Sequence, residues 1–201
     1  MTGPIWAVVL AAGESRRMGT QKLLLPFGDT TVVGAVVRTA LASRAGGTVV
    51  VLGADRDAVR TELADRGVGF AVNEDFHLGM LSSVQAGFRA LPPAARAAVV
   101  MLGDQPFLAA GVVDAVIAAY GEGGRGLVIP TFGGRRGHPV LIDLKYRDEV
   151  LGLDRTDGLR GLMRAHPGDI GEVEAGDANI LRDLDTPEDY EGIKPIRLTP
   201  S

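Results

Sequence analysis

The 201-residue sequence predicts an α/β fold in which helices flank a wound, mostly parallel sheet. Three observations carry this. Apolar runs of strand length alternate with segments whose apolar residues recur at helical spacing. One run, Ala98 to Leu102, is apolar without interruption, as expected of a strand covered on both faces. The pairs Gly46-Gly47 and Pro92-Pro93 cut the chain between helix and strand.

Taken in order, the first strand is Ile5 to Leu10. A helix starting near Thr30 or Thr31 carries Val32, Val33, Val36, Val37 and Leu41 on its apolar face. A second strand, Thr48 to Leu52, precedes a helix over Asp55 to Asp65, where Val59 and Leu63 lie one turn apart. Gly69 to Val72 is a short third strand. The second half of NEDFHLGMLSSVQAGFRAL is a helix with Leu81, Val84 and Phe88 on one face. The fourth strand, Ala98 to Leu102, runs into Gly103-Asp104, then Pro106 and a helix over Val112 to Tyr120. Leu127 to Pro130 and His138 to Ile142 read as strands around the turn-rich GGRRG. Leu159 to His166 reads as a helix and Ile180 to Leu184 as a short strand. Thr186-Pro187-Glu188-Asp189 is a helix start: a capping hydroxyl, proline at the first helical position and acids in the first turn.

A hydrophobic content of 46% and a charged content of 23% are those of an ordinary soluble globular chain, expected to form a single domain over residues 1–193. The tail KPIRLTPS, residues 194–201, has two prolines and no periodicity, and is expected to be loose. The net charge of −4 points to no nucleic-acid partner and no anionic membrane surface. The chain has no cysteine, which excludes disulfides, thiolate nucleophiles and cysteine-ligated zinc. Ile5 to Ala12 is too short to span a bilayer and no basic residue precedes it, so a cytoplasmic location is expected.

Ligands of open α/β sheets sit beyond the carboxyl ends of the strands, so the residues just past each strand matter most. After the first strand comes LAAGESRRMGTQK, Leu10 to Lys22. Gly13 and Gly19 are separated by five residues and Lys22 comes three later, which fits neither a P-loop nor a dinucleotide fingerprint. Ala11, Ala12 and Gly13 are nevertheless small enough for backbone N–H groups to approach phosphate oxygens, with Arg17 and Lys22 as counter-charges. The same residues also suit a plain turn with solvated basic side chains. Asp104, after a buried strand and a glycine, suits a Mg²⁺ ligand or a helix cap. Asp185 suits a second ligand or the lead-in to the Thr186 cap. In GMLSSVQAG, Gly79, Ser82 and Ser83 open a helix with hydroxyls and free N–H groups, although one N-cap explains either serine singly. In GGRRGHPVLI, His138 stands before Pro139 and is expected in an extended conformation; it suits an acid, a base or a structural role. His77 and His166 show no metal-type spacing with it.

Five motifs in order, LAAG-x-S-x-RMG-x-x-K, strand-GD-x-P, G-x-x-S-S-V, GHP and DTPED, resemble those of the molybdopterin nucleotidyltransferases, over roughly Ile5 to Tyr190. LAAG rather than LAGG is more similar to the cytidylyl branch than to the guanylyl branch, and Arg16 stands where a small polar residue is common. The resemblance implies a Rossmann-like α/β nucleotidyltransferase fold and transfer of a nucleoside monophosphate from CTP, or GTP, to the terminal phosphate of molybdopterin. In the cytidylyl branch the acceptor bears molybdenum, and pyrophosphate is released. It also implies that Leu10, Ala11, Ala12, Gly13, Gly79, Ser82 and Ser83 bind nucleotide, that Arg17 and Lys22 hold its phosphates, and that Asp104 and Asp185 hold Mg²⁺. Gly137 and His138 then lie beside the acceptor, and a molybdoenzyme or its chaperone is a transient partner. Other nucleotidyltransferases of this scaffold, and a binding module without catalysis, are the rival readings.

Overall fold

The apolar runs come together as one sheet in the computed structural model, which describes residues 3–192. The first half of the chain forms β1 (Ile5–Ala11), β2 (Pro26–Phe27), β3 (Thr30–Thr31), α1 (Val32–Ala42), β4 (Gly47–Leu52), α2 (Arg56–Glu62), β5 (Gly69–Val72) and α3 (Met80–Ala90). The second half forms β6 (Ala97–Leu102), α4 (Ala110–Gly123), β7 (Leu127–Phe132), β8 (Arg135–Arg136), β9 (Val140–Asp143), α5 (Arg147–Gly152), α6 (Leu159–Ala165), β10 (Ile170–Glu174) and α7 (Pro187–Glu191). The main sheet runs β10-β7-β9-β6-β1-β4-β5, with β8 paired to β7, while β2 and β3 make a separate hairpin. Strand β1 lies parallel to both β4 and β6, so Val8 is flanked by Val49 and Val100. Strand β9 is the antiparallel insertion between β6 and β7.

Side chains of a strand alternate between faces, and both faces here are covered. Ala7, Val9 and Ala11 join Val33 and Val36 of α1 and Val113 and Val116 of α4 in one core. Val8, Val49 and Val100 join Val84 and Phe88 of α3 and Leu162 of α6 in the other. Thr31 caps α1 by accepting the Gly34 N–H at 3.1 Å, and Thr186 and Asp189 cap α7 reciprocally. Among the described residues no helix is long and apolar enough to cross a membrane.

Several expected elements differ from the structure. Ile180 to Leu184 is not a strand: Ala178–Leu181 is a 3₁₀ turn capped by the Asp177 carboxylate, and the chain then runs on without a ladder partner. The short capped turn takes the backbone bonds that a strand would have used. The strand expected from His138 begins at Val140, and His138 occupies a bend. The helix expected to run to Asp65 ends at Glu62. Strand β10 was hidden because IGEVE alternates at a half-exposed sheet edge with only two large apolar residues. The expected loose tail lies outside the described residues.

Gly103 shows how closely β6 and β1 meet at their carboxyl ends. Its N–H donates to the Leu10 carbonyl at 2.9 Å, and a Cβ would fall 2.6 Å from that same oxygen. Gly103→Ala is expected to cost roughly 1–3 kcal/mol by overpacking, read from urea denaturation; an unchanged midpoint would show that this approach is slack.

Candidate functional site

Two neighbouring parallel strands, β1 and β6, open their carboxyl ends into one cleft of about 520 Å³. Alternation along β1 aims Leu10 and Ala12 into it, while Ala11 is fully buried toward the opposite core. Gly13, Arg17, Lys22, Gly79, Ser83, Asp104 and Asp185 complete the part of the lining anticipated from sequence.

The loop after β1 is fixed by its own polar groups. Ser15 takes a left-handed conformation at φ 52°, which lets its hydroxyl accept the Lys22 N–H at 3.1 Å and donate to Gln21 Oε1 at 2.8 Å. Gln21 Nε2 donates in turn to Asp55 at 2.9 Å. Gly19, at φ 65°, closes the intervening 3₁₀ turn where a side chain would be strained. The result presents Lys22 inward.

Lys22 is the centre of charge. Its Nζ donates to Asp104 Oδ2 at 2.6 Å and to Asp185 Oδ1 at 2.8 Å, with only 12% of its side chain exposed. Arg17 approaches the other Asp185 oxygen at 2.9 Å, but its side chain is 70% exposed and this contact is weak. Burial alone would lower the Lys22 pKa; Asp104 and Asp185 together outweigh it, so the ammonium is held above its ordinary 10.5. The hydrogen bond from Lys22 and its charge hold Asp185 below the usual carboxylate value against partial burial. Asp183, which lines the same cleft, is pushed up chiefly by burial.

The donor set bears on which cation fits. Asp104 and Asp185 already converge on one positive charge, and their oxygens are hard ligands. Among the described residues no cluster of three or more histidine, cysteine or acidic side chains forms a closed metal cage. Two carboxylates plus substrate oxygens is the arrangement suited to Mg²⁺ or Mn²⁺, which bind through one or two carboxylates and phosphates.

The remaining sequence candidates separate. Ser83 lines the cleft and accepts from Asn73 Nδ2 at 3.0 Å. Ser82 does not line it; it accepts from the same amide at 2.9 Å and donates to carbonyls of Gly79 and Asp75. Gly137 and His138 lie outside the cleft lining: Gly137 packs so tightly on Ile180 that a Cβ would collide with its carbonyl, and the His138 N–H donates to the same carbonyl at 3.0 Å. Burial pushes the His138 imidazole down, with the nearby Asp104 charge acting the other way. Arg16 pairs with Glu14 at 2.8 Å at the exposed rim. Gln21, Asn73, Gln105 and Asp183 were not anticipated; only Asp183 carried a signal, standing two residues before Asp185.

Removing Lys22 leaves two facing carboxylates. Lys22→Ala is expected to destabilise the protein at neutral pH by about 1–3 kcal/mol, below the fully buried range because Asp185 is partly exposed. The Lys22 contribution is present below 10.5 and lost as pH rises through its raised folded value; the Asp185 contribution is present above 3.8 and lost as pH falls through its lowered one. The stability gap to wild type should therefore be widest between these limits and narrow outside them. Denaturation midpoints across pH measure this, and a pH-independent gap would contradict it.

Residues 7–170 match the family model of the MobA-like NTP transferase domain. Purine catabolism protein PucB of Bacillus subtilis is 31% identical, over 93% of this chain and 94% of its own. Nicotine blue oxidoreductase of Paenarthrobacter nicotinovorans is 32% identical over 92% and 93%, and molybdenum cofactor cytidylyltransferase of Escherichia coli is 28% identical over 91% and 92%. Among solved structures, Rv0371c of Mycobacterium tuberculosis superposes with a TM-score of 0.85 at 31% identity, over 96% of this chain and 98% of that one. A manganese complex of the same protein superposes at 0.80 and 29% identity, over 94% and 97%. With the family model spanning most of its length, the chain belongs to the MobA-like NTP transferase domain family and is a nucleotidyltransferase.

Proposed function

We propose that the protein transfers CMP from CTP to the terminal phosphate of molybdenum-bearing molybdopterin, releasing pyrophosphate, with Mg²⁺ as the cation. The observation that carries this reading is the Lys22–Asp104–Asp185 cluster beneath a glycine-punctuated loop. Supporting it are the similarity to the cytidylyltransferase of Escherichia coli, the manganese complex of the Mycobacterium tuberculosis relative, and an alanine at position 12 facing the cleft.

In the proposed reaction an oxygen of the acceptor phosphate attacks the α-phosphorus of CTP. The bond to the bridging oxygen breaks and its electron pair leaves with pyrophosphate. The acceptor is already anionic, so no general base is needed. Backbone N–H groups around Ala12 and Gly13 orient the phosphates, and Ser83 meets the base. Lys22 and Arg17 turn from their carboxylate partners to neutralise the departing pyrophosphate. Asp104 and Asp185 would hold the cation, which would supply Lewis-acid stabilisation of charge on phosphoryl oxygens. Gly137 and His138 stand on the acceptor side, and the product passes to a molybdoenzyme or its chaperone in the cytoplasm.

Pyrophosphate release measured with CTP, GTP, ATP and UTP against molybdenum-loaded molybdopterin tests the reading: turnover should favour CTP, and a GTP preference would overturn the base assignment. Asp104→Asn should lower kcat on the order of 10³-fold, and Lys22→Ala on the order of 10²-fold or more, with the fold retained. Wild-type turnover in Asp104→Asn would remove the carboxylate from the chemistry.

A further inference from the structure

Asp104 and Asp185 reach the same point from distant parts of the chain, and no sheet ladder holds the second of them. Asp104 follows β6, whereas residues 182–185 are irregular. Two of the groups that touch Asp185, Lys22 and Arg17, are the cations that the proposed function turns toward phosphate. Something else must keep the carboxylates spaced when those cations are engaged elsewhere.

Gln105 has the right connections. It is 1% exposed, and its Nε2 donates to Asp183 Oδ1 at 2.7 Å and to the Ile180 carbonyl at 3.4 Å. The Asp183 bond joins residues 78 positions apart. Beside it the Leu184 N–H donates to the Asp104 carbonyl at 3.0 Å, so the two acid-bearing segments are stitched at Asp104-Gln105 and at Asp183-Leu184. The choice of glutamine is itself informative. Its Oε1 is buried with no hydrogen-bond partner among the described residues, a defect that a methionine or leucine of similar size would not have. The amide also donates without adding positive charge, so it does not compete with a cation for the carboxylates.

We propose that Gln105 is a positioning residue which, by clamping Asp183 and the Ile180 carbonyl, sets the spacing of Asp104 and Asp185 for a divalent cation. This rests on the metal reading under the proposed function. The test uses full-length protein and Mn²⁺ alone, with the dissociation constant read by electron paramagnetic resonance and the fold by circular dichroism. Gln105→Met should weaken Mn²⁺ binding at least about fivefold while the CTP KM changes less than kcat. Asp183→Asn, which keeps an acceptor for the amide, should bind Mn²⁺ like wild type, and Asp183→Leu should match Gln105→Met. Wild-type Mn²⁺ affinity in Gln105→Met overturns the clamp. So does an Asp183→Asn loss as large as that of Asp183→Leu, since Asp183 would then act through its own charge. If Gln105→Met does not fold, the Asn-against-Leu contrast at position 183 decides alone. Asp104→Asn serves as the separate control: if it binds Mn²⁺ like wild type, the metal reading itself fails and the clamp with it.

Discussion

Two carboxylates that meet on a half-buried cleft floor stay ionised together only with a positive charge between them, and in this protein that charge is the Lys22 ammonium. That constraint reaches through the fold. Lys22 must arrive from the loop after β1, Asp104 from the end of β6 and Asp185 from the approach to α7. The first two meet because β1 and β6 are parallel neighbours, so their carboxyl ends open on the same side. The third meets them because the Leu184 N–H is bonded to the Asp104 carbonyl.

The apolar part of the molecule serves as a rigid floor for that charge. Valines on alternate faces of β1, β4 and β6 bury both sides of the sheet, and Gly103 brings β6 against β1 more closely than any side chain would permit. Polar positioning is layered above the floor. Ser15 and Gln21 shape the loop that delivers Lys22, Asn73 holds the two helix-opening serines, and Gln105 reaches across to Asp183. Neutral donors thus hold the loop, the serines and Asp183 in place without adding a positive charge that would compete for the Asp104 and Asp185 carboxylates.

Much of the fold is legible in the sequence because each central strand is a continuous apolar run bounded by glycine or proline. Gly69 to Val72 matches its strand at both ends, and Thr31 caps the helix foreseen from its valine stripe. Legibility fails where tertiary bonds replace periodicity. Ile180 to Leu184 has the composition of a strand, but its backbone is taken up by a capped turn, by Gln105 and by His138. The site shows the same division. Spacing marked Lys22, Asp104 and Asp185 as chemically suggestive, yet the bonds that join them span 82 and 163 residues and leave no local pattern. Ser82 and Ser83 look equivalent in sequence; the helix turns one into the Asn73 network and the other also toward the cleft.

The most direct test of the central claim is a crystal structure with Mn²⁺ and a non-hydrolysable CTP analogue, read by anomalous scattering. The expected result is a metal peak shared by Asp104 and Asp185, with Lys22 Nζ moved onto a phosphate oxygen. A metal bound elsewhere, with Lys22 still bonded to both carboxylates, would contradict it.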